Sequence, residues 1–203
     1  MPEKRARLAL ALLLWLGAPA FAQSTDNPLT RAIPRVDGSS ACFSRAYDPA
    51  HLKRHPRQMT QVVLLSLRFE ESAGNHIIRI MLREKNRPAP LFIVGVCGWS
   101  EKANLGVDDK PLITAFTATS GLDCAAYSGL DSDEEGGDFP IDFAADGKSL
   151  TLYLFDQISA WLGPNQKKKT IGAGLGKDDL IFHLERIDEG PCRTLERNWR
   201  GKD

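Results

Sequence analysis

The chain has 203 residues, and its 26 basic and 26 acidic side chains cancel to a net formal charge of zero. That balance leaves no surplus of Lys and Arg for a phosphate backbone, which excludes ordinary nucleic-acid binding. No basic amphipathic stretch marks it for a membrane surface, and its length suffices to bury a real core without metal or staples.

Lys4, Arg5 and Arg7 precede an apolar run over Leu8–Leu16, and Ala20-Phe21-Ala22 follows with the small-x-small form of a cleavage site. Residues 1–22 are therefore expected to be a secretory signal peptide. The apolar run is too short for a membrane span, which needs roughly 20 residues. Cleavage would remove three basic residues and Glu3, leaving a net charge of −2. The expected location is periplasmic or secreted, with no transmembrane segment after cleavage.

All four cysteines lie beyond that point, at Cys42, Cys97, Cys124 and Cys192. An even count in an exported chain reads as two disulfides, and three pairings are possible. Cys42–Cys192 would tie the start of the domain to its end, and Cys97–Cys124 would close a middle loop. A zinc site would need thiolates clustered as C-x₂₋₄-C, and these stand singly.

Residues 23–40 are polar, with two prolines and no period, and read as a flexible lead-in. Asp48-Pro49 opens a short helix, with Asp48 as N-cap and Pro49 in the first turn, and Pro56 ends it. The period then changes to two. Val63, Leu65, Leu67 and Phe69 share one face of a first strand. The turn cluster Ser72–Asn75 leads to a second over His76–Leu82, making a hairpin. Leu91–Cys97 is a third strand, and Leu112–Thr117 a fourth. Phe139, Ile141 and Phe143 alternate with polar neighbours, Asp146-Gly147 marks a tight turn, and Leu150, Leu152 and Leu154 alternate again. Pro140 points to an edge position for its strand. Ile158–Leu162 adds another strand, Lys167–Lys169 and Gly172–Gly176 read as mobile loop, and Leu180, Phe182 and Leu184 form the last strand.

Seven or eight short strands with no helix long enough for a parallel crossover predict an all-β chain. The expected architecture is an antiparallel meander, barrel or sandwich, with one short N-terminal helix. A single domain is expected over 41–195, with 196–203 as a C-terminal tail.

Several side-chain groups invite a chemical reading. Asp131-Ser-Asp133-Glu-Glu135-Gly136 places oxygen ligands at alternate positions before a glycine, as calcium loops do, with Asp142 in the twelfth place. Glu135 is one carbon too long for its position, and Asp142 replaces a bidentate Glu. The other reading is a solvated acidic turn. His51 and His55 stand four apart on the short helix, but a third ligand is missing, and Lys53, Arg54 and Arg57 would repel a dication. Gly172-Ala-Gly-Leu-Gly-Lys177 is one residue short of a phosphate loop, with Asp178 where a hydroxyl should follow. Ser100 lies in no nucleophile elbow. Trp99, Trp161, Tyr127 and Phe92 are either an interaction patch or core. His76 and His183 would matter for hydrolysis if they converged.

The stretch Cys42-Phe-Ser-Arg-Ala-Tyr-Asp48, with His51-Leu52 and His55-Pro56, resembles the opening of small exported Gram-negative bacterial proteins of unknown function. The resemblance runs over residues 42–192, implies an exported location, and carries no activity. The expected architecture is also similar to that of periplasmic lysozyme-inhibitor barrels, an analogy of fold alone that transfers no inhibitory residue. The function expected is a non-catalytic binding module that presents loops or a barrel mouth to a protein, glycan or small ligand. The alternatives are a calcium-binding β domain, and a hydrolase whose residues meet only in space.

Overall fold

The computed structural model describes residues 26–103, 116, 118–128, 135–155, 158–163, 170–176 and 178–200. The signal peptide expected over 1–22 and most of the strand expected over 112–117 lie outside them.

Strands β1 (Ser40–Ala46), β2 (Thr60–Glu70), β3 (Asn75–Glu84), β4 (Leu91–Ser100) and β5 (Gly121–Tyr127) follow one another as antiparallel neighbours. Strands β6 (Glu135–Phe143) and β7 (Ser149–Tyr153) continue the meander, and β10 (Ile181–Ile187) pairs with both β7 and β1. The order β3-β2-β1-β10-β7-β6-β5-β4 closes through the β3–β4 ladder into an eight-stranded barrel. Closure removes the exposed edges that an open sheet would leave. A small hairpin of β8 (Ser159–Trp161) and β9 (Thr170–Gly172) attaches to β4 where Trp161 meets Phe92.

The period-two pattern does what the sequence asks of it. Val63, Leu65 and Leu67 of β2 face Leu82, Ile80 and Ile78 of β3, and all are buried inside the barrel. Phe43, Ile93, Leu122, Phe139, Ile141, Leu152 and Phe182 fill the same interior. In small barrels of this strand number the lumen is just wide enough for side chains. At Gly95 the walls come so close that a Cβ would collide with the Ala125 carbonyl, so glycine is needed where β4 bends from β3 towards β5. The two disulfides are Cys42–Cys192 and Cys97–Cys124; the second links directly opposed residues of β4 and β5.

Four sequence expectations need correction. The lead-in over 23–40 contains a capped helix, α1 (Pro28–Ala32), whose Leu29 and whose following residue Ile33 are buried in the core. Two apolar side chains are too few to show a period, yet burying them is enough to hold the segment. Of the tail expected over 196–203, residues 196–200 continue α3 (Gly190–Arg200), in which Glu196 is buried, and 201–203 lie outside the described residues. Helices α1 and α3 thus pack on the barrel from either end of the chain. Pro140 lies in β6, between β5 and β7 and not at an edge. It is tolerated because the β6–β7 ladder covers only Ile141–Phe143, leaving Pro140 with a ladder partner on one side. The segment after Gly172 is not a free loop, since Ala173 and Leu175 are buried against the core. The helix expected at Asp48-Pro49 is α2 (Pro49–Arg54), where Asp48 accepts a bond from His51 N at 2.7 Å.

Both ends of the barrel are filled. At one, α1 sits over the lumen, and the buried His76 Nε2 donates to the Ile33 carbonyl at 3.0 Å. At the other, residues 173–176 and 178–180 fold inward. Asp179, fully buried, accepts from Met59 N at 2.7 Å and Thr60 N at 2.9 Å, anchoring that segment to the start of β2.

Candidate functional site

The outer wall of the barrel carries a built surface at α3. Side chains of β2 alternate, so Leu64, Ser66, Arg68 and Glu70 point away from the lumen while Leu65, Leu67 and Phe69 point in. On β3 the neighbouring outward residues are Met81, opposite Leu64, and Arg79, opposite Ser66. α3 lies across β2 and β3 and is fastened by Cys192 to Cys42, the outward residue of β1. Leu195 packs with Leu64, Met81 and Phe92, giving the helix an apolar seat.

Beside that seat lies a buried polar network, in which Arg79 Nε alone among the guanidinium nitrogens is buried with no partner among the described residues. Ser66 Oγ donates to Glu196 Oε1 at 2.7 Å, and Arg79 Nη1 donates to Glu196 Oε2 at 2.8 Å. The same guanidinium bonds Glu70 Oε1 at 3.2 Å. Arg79 is thus matched by two carboxylates, as a buried charge must be.

A groove of about 580 Å³ opens between α3 and the β1–β2 wall. Its floor includes Ser40, Ser66 and Arg68, and its helix side carries Glu189, Arg193, Glu196 and Arg197. Glu196 is already held by Ser66 and Arg79. Arg193 reaches Glu189 only at 3.8 Å, with both side chains largely in solvent, and Arg197 bonds Thr194 Oγ1 at 3.4 Å. Arg68 is half-buried, and its Nε is buried with no hydrogen-bond partner among the described residues. Its guanidinium lies against Gly38, where φ is +85° and a Cβ would come within 2.8 Å of Nη2.

The residues singled out from the sequence are elsewhere. Asp131 and Asp133 lie outside the described residues, as does the Glu135 side chain. Asp142 sits in β6 opposite Thr151, so most of the calcium loop expected over 131–142 cannot be placed. Among the described residues, no group of three or more His, Cys, Asp or Glu is placed to hold a metal ion. The His51 and His55 rings stack at 4.4 Å, and His51 Nε2 is engaged by Gln58 Oε1 at 2.9 Å. The Asp48 carboxyl beside them is held below its ordinary range, chiefly by the bond from His51 N. Trp161 is buried and edge-on to Trp199, which also lies beside Phe92, so these rings seat the end of α3 instead of forming an open patch. Trp99 is half-buried and donates to Glu101 at 2.8 Å.

The two histidines of the hydrolase reading do not converge. His76 faces the lumen under α1, and burial pushes its pKa below the ordinary value. His183 is exposed on β10, where Nδ1 meets Thr151 Oγ1 at 2.8 Å. This Thr–His contact lies on an exposed sheet face, whereas acyl transfer requires an enclosing pocket with oxyanion donors. Ser100 accepts a bond from Lys102 N in a turn. Asp123 has its carboxyl pushed up by burial, with Asp138 adding to the shift, but among the described residues no hydrogen bond joins it to a nucleophile.

The groove was missed from the sequence because its parts are far apart in the chain. One signal was present: Cys192, Leu195, Glu196 and Trp199 have the i, i+3, i+4, i+7 spacing of a helix face, after Pro191 in a position that suits a first turn. Both disulfides fit an oxidising, extracytoplasmic setting. Among the described residues no helix is long and apolar enough to cross a membrane. The chain matches no family model, no curated protein and no solved structure.

Proposed function

We propose that this chain is a non-catalytic binding module of the periplasm or the secreted space, and that its ligand seat is the groove beside α3. The observation that carries this reading is the contrast between a filled lumen, plugged at both ends, and a groove of about 580 Å³ on the outer wall. That volume is in the range of small-ligand sites. The walls are rigid: β1 and β2 belong to the barrel, and α3 is tied to them by Cys42–Cys192. A barrel mouth as the ligand entrance, one form of the binding module expected from sequence, is disfavoured by the plugs of α1 and of residues 173–176 and 178–180.

The test is nuclear magnetic resonance on the oxidised, isotopically labelled chain, titrated with fractionated small molecules and wall fragments from a bacterial envelope. Saturable shifts confined to the amides around Gly38, Ser40, Ser66 and Arg193 are the expected result. Shifts centred on lumen residues such as Leu65 and Ile80, or turnover of any fraction, would overturn the reading.

A further inference from the structure

We infer that the groove is an oxyanion site, taking a carboxylate or phosphate group of a small ligand on Arg68 with Arg193 and Arg197 closing around it. The inference rests on the binding-module reading and deepens it by naming the ligand's chemistry.

A guanidinium offers five donors in a planar fork and matches carboxylate or phosphate oxygens in pairs. Arg68 finds no acceptor for its buried Nε among the described residues. That Nε is out of solvent, so a ligand would meet the Nη1 and Nη2 edge of the fork, which makes no ion pair among the described residues. The nearby carboxylates do not supply one. Glu196 is taken by Ser66 and Arg79, and Glu189 faces Arg193 at 3.8 Å. Arg68, Arg193 and Arg197 line the groove together with Glu189 and Glu196; Glu196 is engaged by Arg79 and Glu189 by Arg193, which leaves the Arg68 guanidinium without a carboxylate among the described residues, so its end of the groove favours an anion. Gly38 leaves room for the fork, because a side chain there would press on Nη2. The Ser40 side of the floor lies next to Arg68 in the β1–β2 register, where a hydroxyl can add a donor. A cation is disfavoured for the same reason that an anion is favoured.

The experiment titrates the oxidised full chain, at low ionic strength, with inorganic phosphate in one arm and succinate in the other. Amide shifts at Gly38 and Ser40 and the Arg68 Nε–H resonance are the readout, with sodium chloride at matched ionic strength as control. The expected result is a saturable shift in at least one arm, absent with chloride and lost in Arg68→Met. The arm that saturates separates phosphate from carboxylate. Thermal melting of Arg68→Met is measured alongside: a midpoint unchanged or raised is expected, because that substitution removes an unmet donor without a native bond. Equal shifts in wild type and Arg68→Met, or none in either arm, would overturn the oxyanion assignment. If envelope ligands still map to the groove in that case, the binding-module reading stands while its ligand class is wrong. If they map elsewhere, both fall.

Discussion

His76 is an imidazole kept from water at the end of the lumen, in edge contact with the Phe69 ring and donating to the Ile33 carbonyl. Burial is the main cause of its lowered pKa, with the Arg35 charge acting in the same direction and the Ile33 bond opposing. The folded protein thus holds it neutral, whereas the unfolded chain takes up a proton near its ordinary value of about 6.5. In the interval between the lowered folded pKa and about 6.5 the unfolded state binds more protons, so stability rises with pH. It is fully present above about 6.5 and is lost as the pH falls below it. Urea midpoints should therefore drop between about pH 7.5 and pH 5.5, and His76→Gln, which keeps a donor for Ile33, should flatten that part of the curve. An identical slope in both proteins would place the titrating group elsewhere. Asp179 teaches a related point. Its role, accepting two backbone bonds across about 120 residues of chain, could not be read from its neighbours Asp178 and Lys177.

At the scale of elements, α3 is the part whose attachment decides whether a groove exists. Its inner face carries Cys192, Leu195 and Glu196, which meet β1, the outer apolar strip and Arg79 respectively. Removing the Cys42–Cys192 bond, whose ends are 150 residues apart, should cost about 5 kcal/mol by loop-closure entropy. Removing Cys97–Cys124, 27 residues apart, should cost about 3.5 kcal/mol. Paired Cys→Ala variants followed by denaturant unfolding test the order. Hydrogen exchange adds a sharper readout: α3 amides should lose protection in Cys42→Ala/Cys192→Ala, while those of β4 and β5 hold theirs. Equal protection of α3 in both variants would show that Leu195 and Glu196 hold the helix without the staple.

The whole molecule is a closed barrel with stoppers, and the stopper at the α1 end is small enough to test. Leu29 and Ile33 are both buried against the lumen. Replacing both with Ala should cost about 4 kcal/mol, at the lower end for two buried aliphatic truncations, and open that end. Calorimetry gives the loss, and binding of a hydrophobic dye to the variant but not the wild type reports the opened lumen. An unchanged melting temperature would mean that α1 does not plug the barrel in solution.

Strand character was readable from local pattern for most of the chain. The alternation of Val63, Leu65, Leu67 and Phe69, the turn at Ser72–Asn75 and the Asp146-Gly147 hairpin are local patterns whose period is fixed by the pleat, and the structure follows them. That the four cysteines form two disulfides was also legible from their even count, but which of three pairings forms was left to the fold, which joins Cys42 to Cys192 and Cys97 to Cys124. Three strands escaped: β1, where Ser and Cys interrupt the apolar run, β5, whose inward residues Leu122, Cys124 and Ala126 are partly small, and the three-residue β9, too short to show a period. Tertiary structure alone decided barrel against sandwich, because closure depends on β10 meeting β1 and β3 meeting β4, pairings set by register across the chain. It alone also made the groove, since Gly38, Arg68 and Arg193 are brought together by strand pairing and a disulfide. A hydrophobic period records which way a side chain faces along its own strand; it carries no information about which distant segment comes to lie beside it.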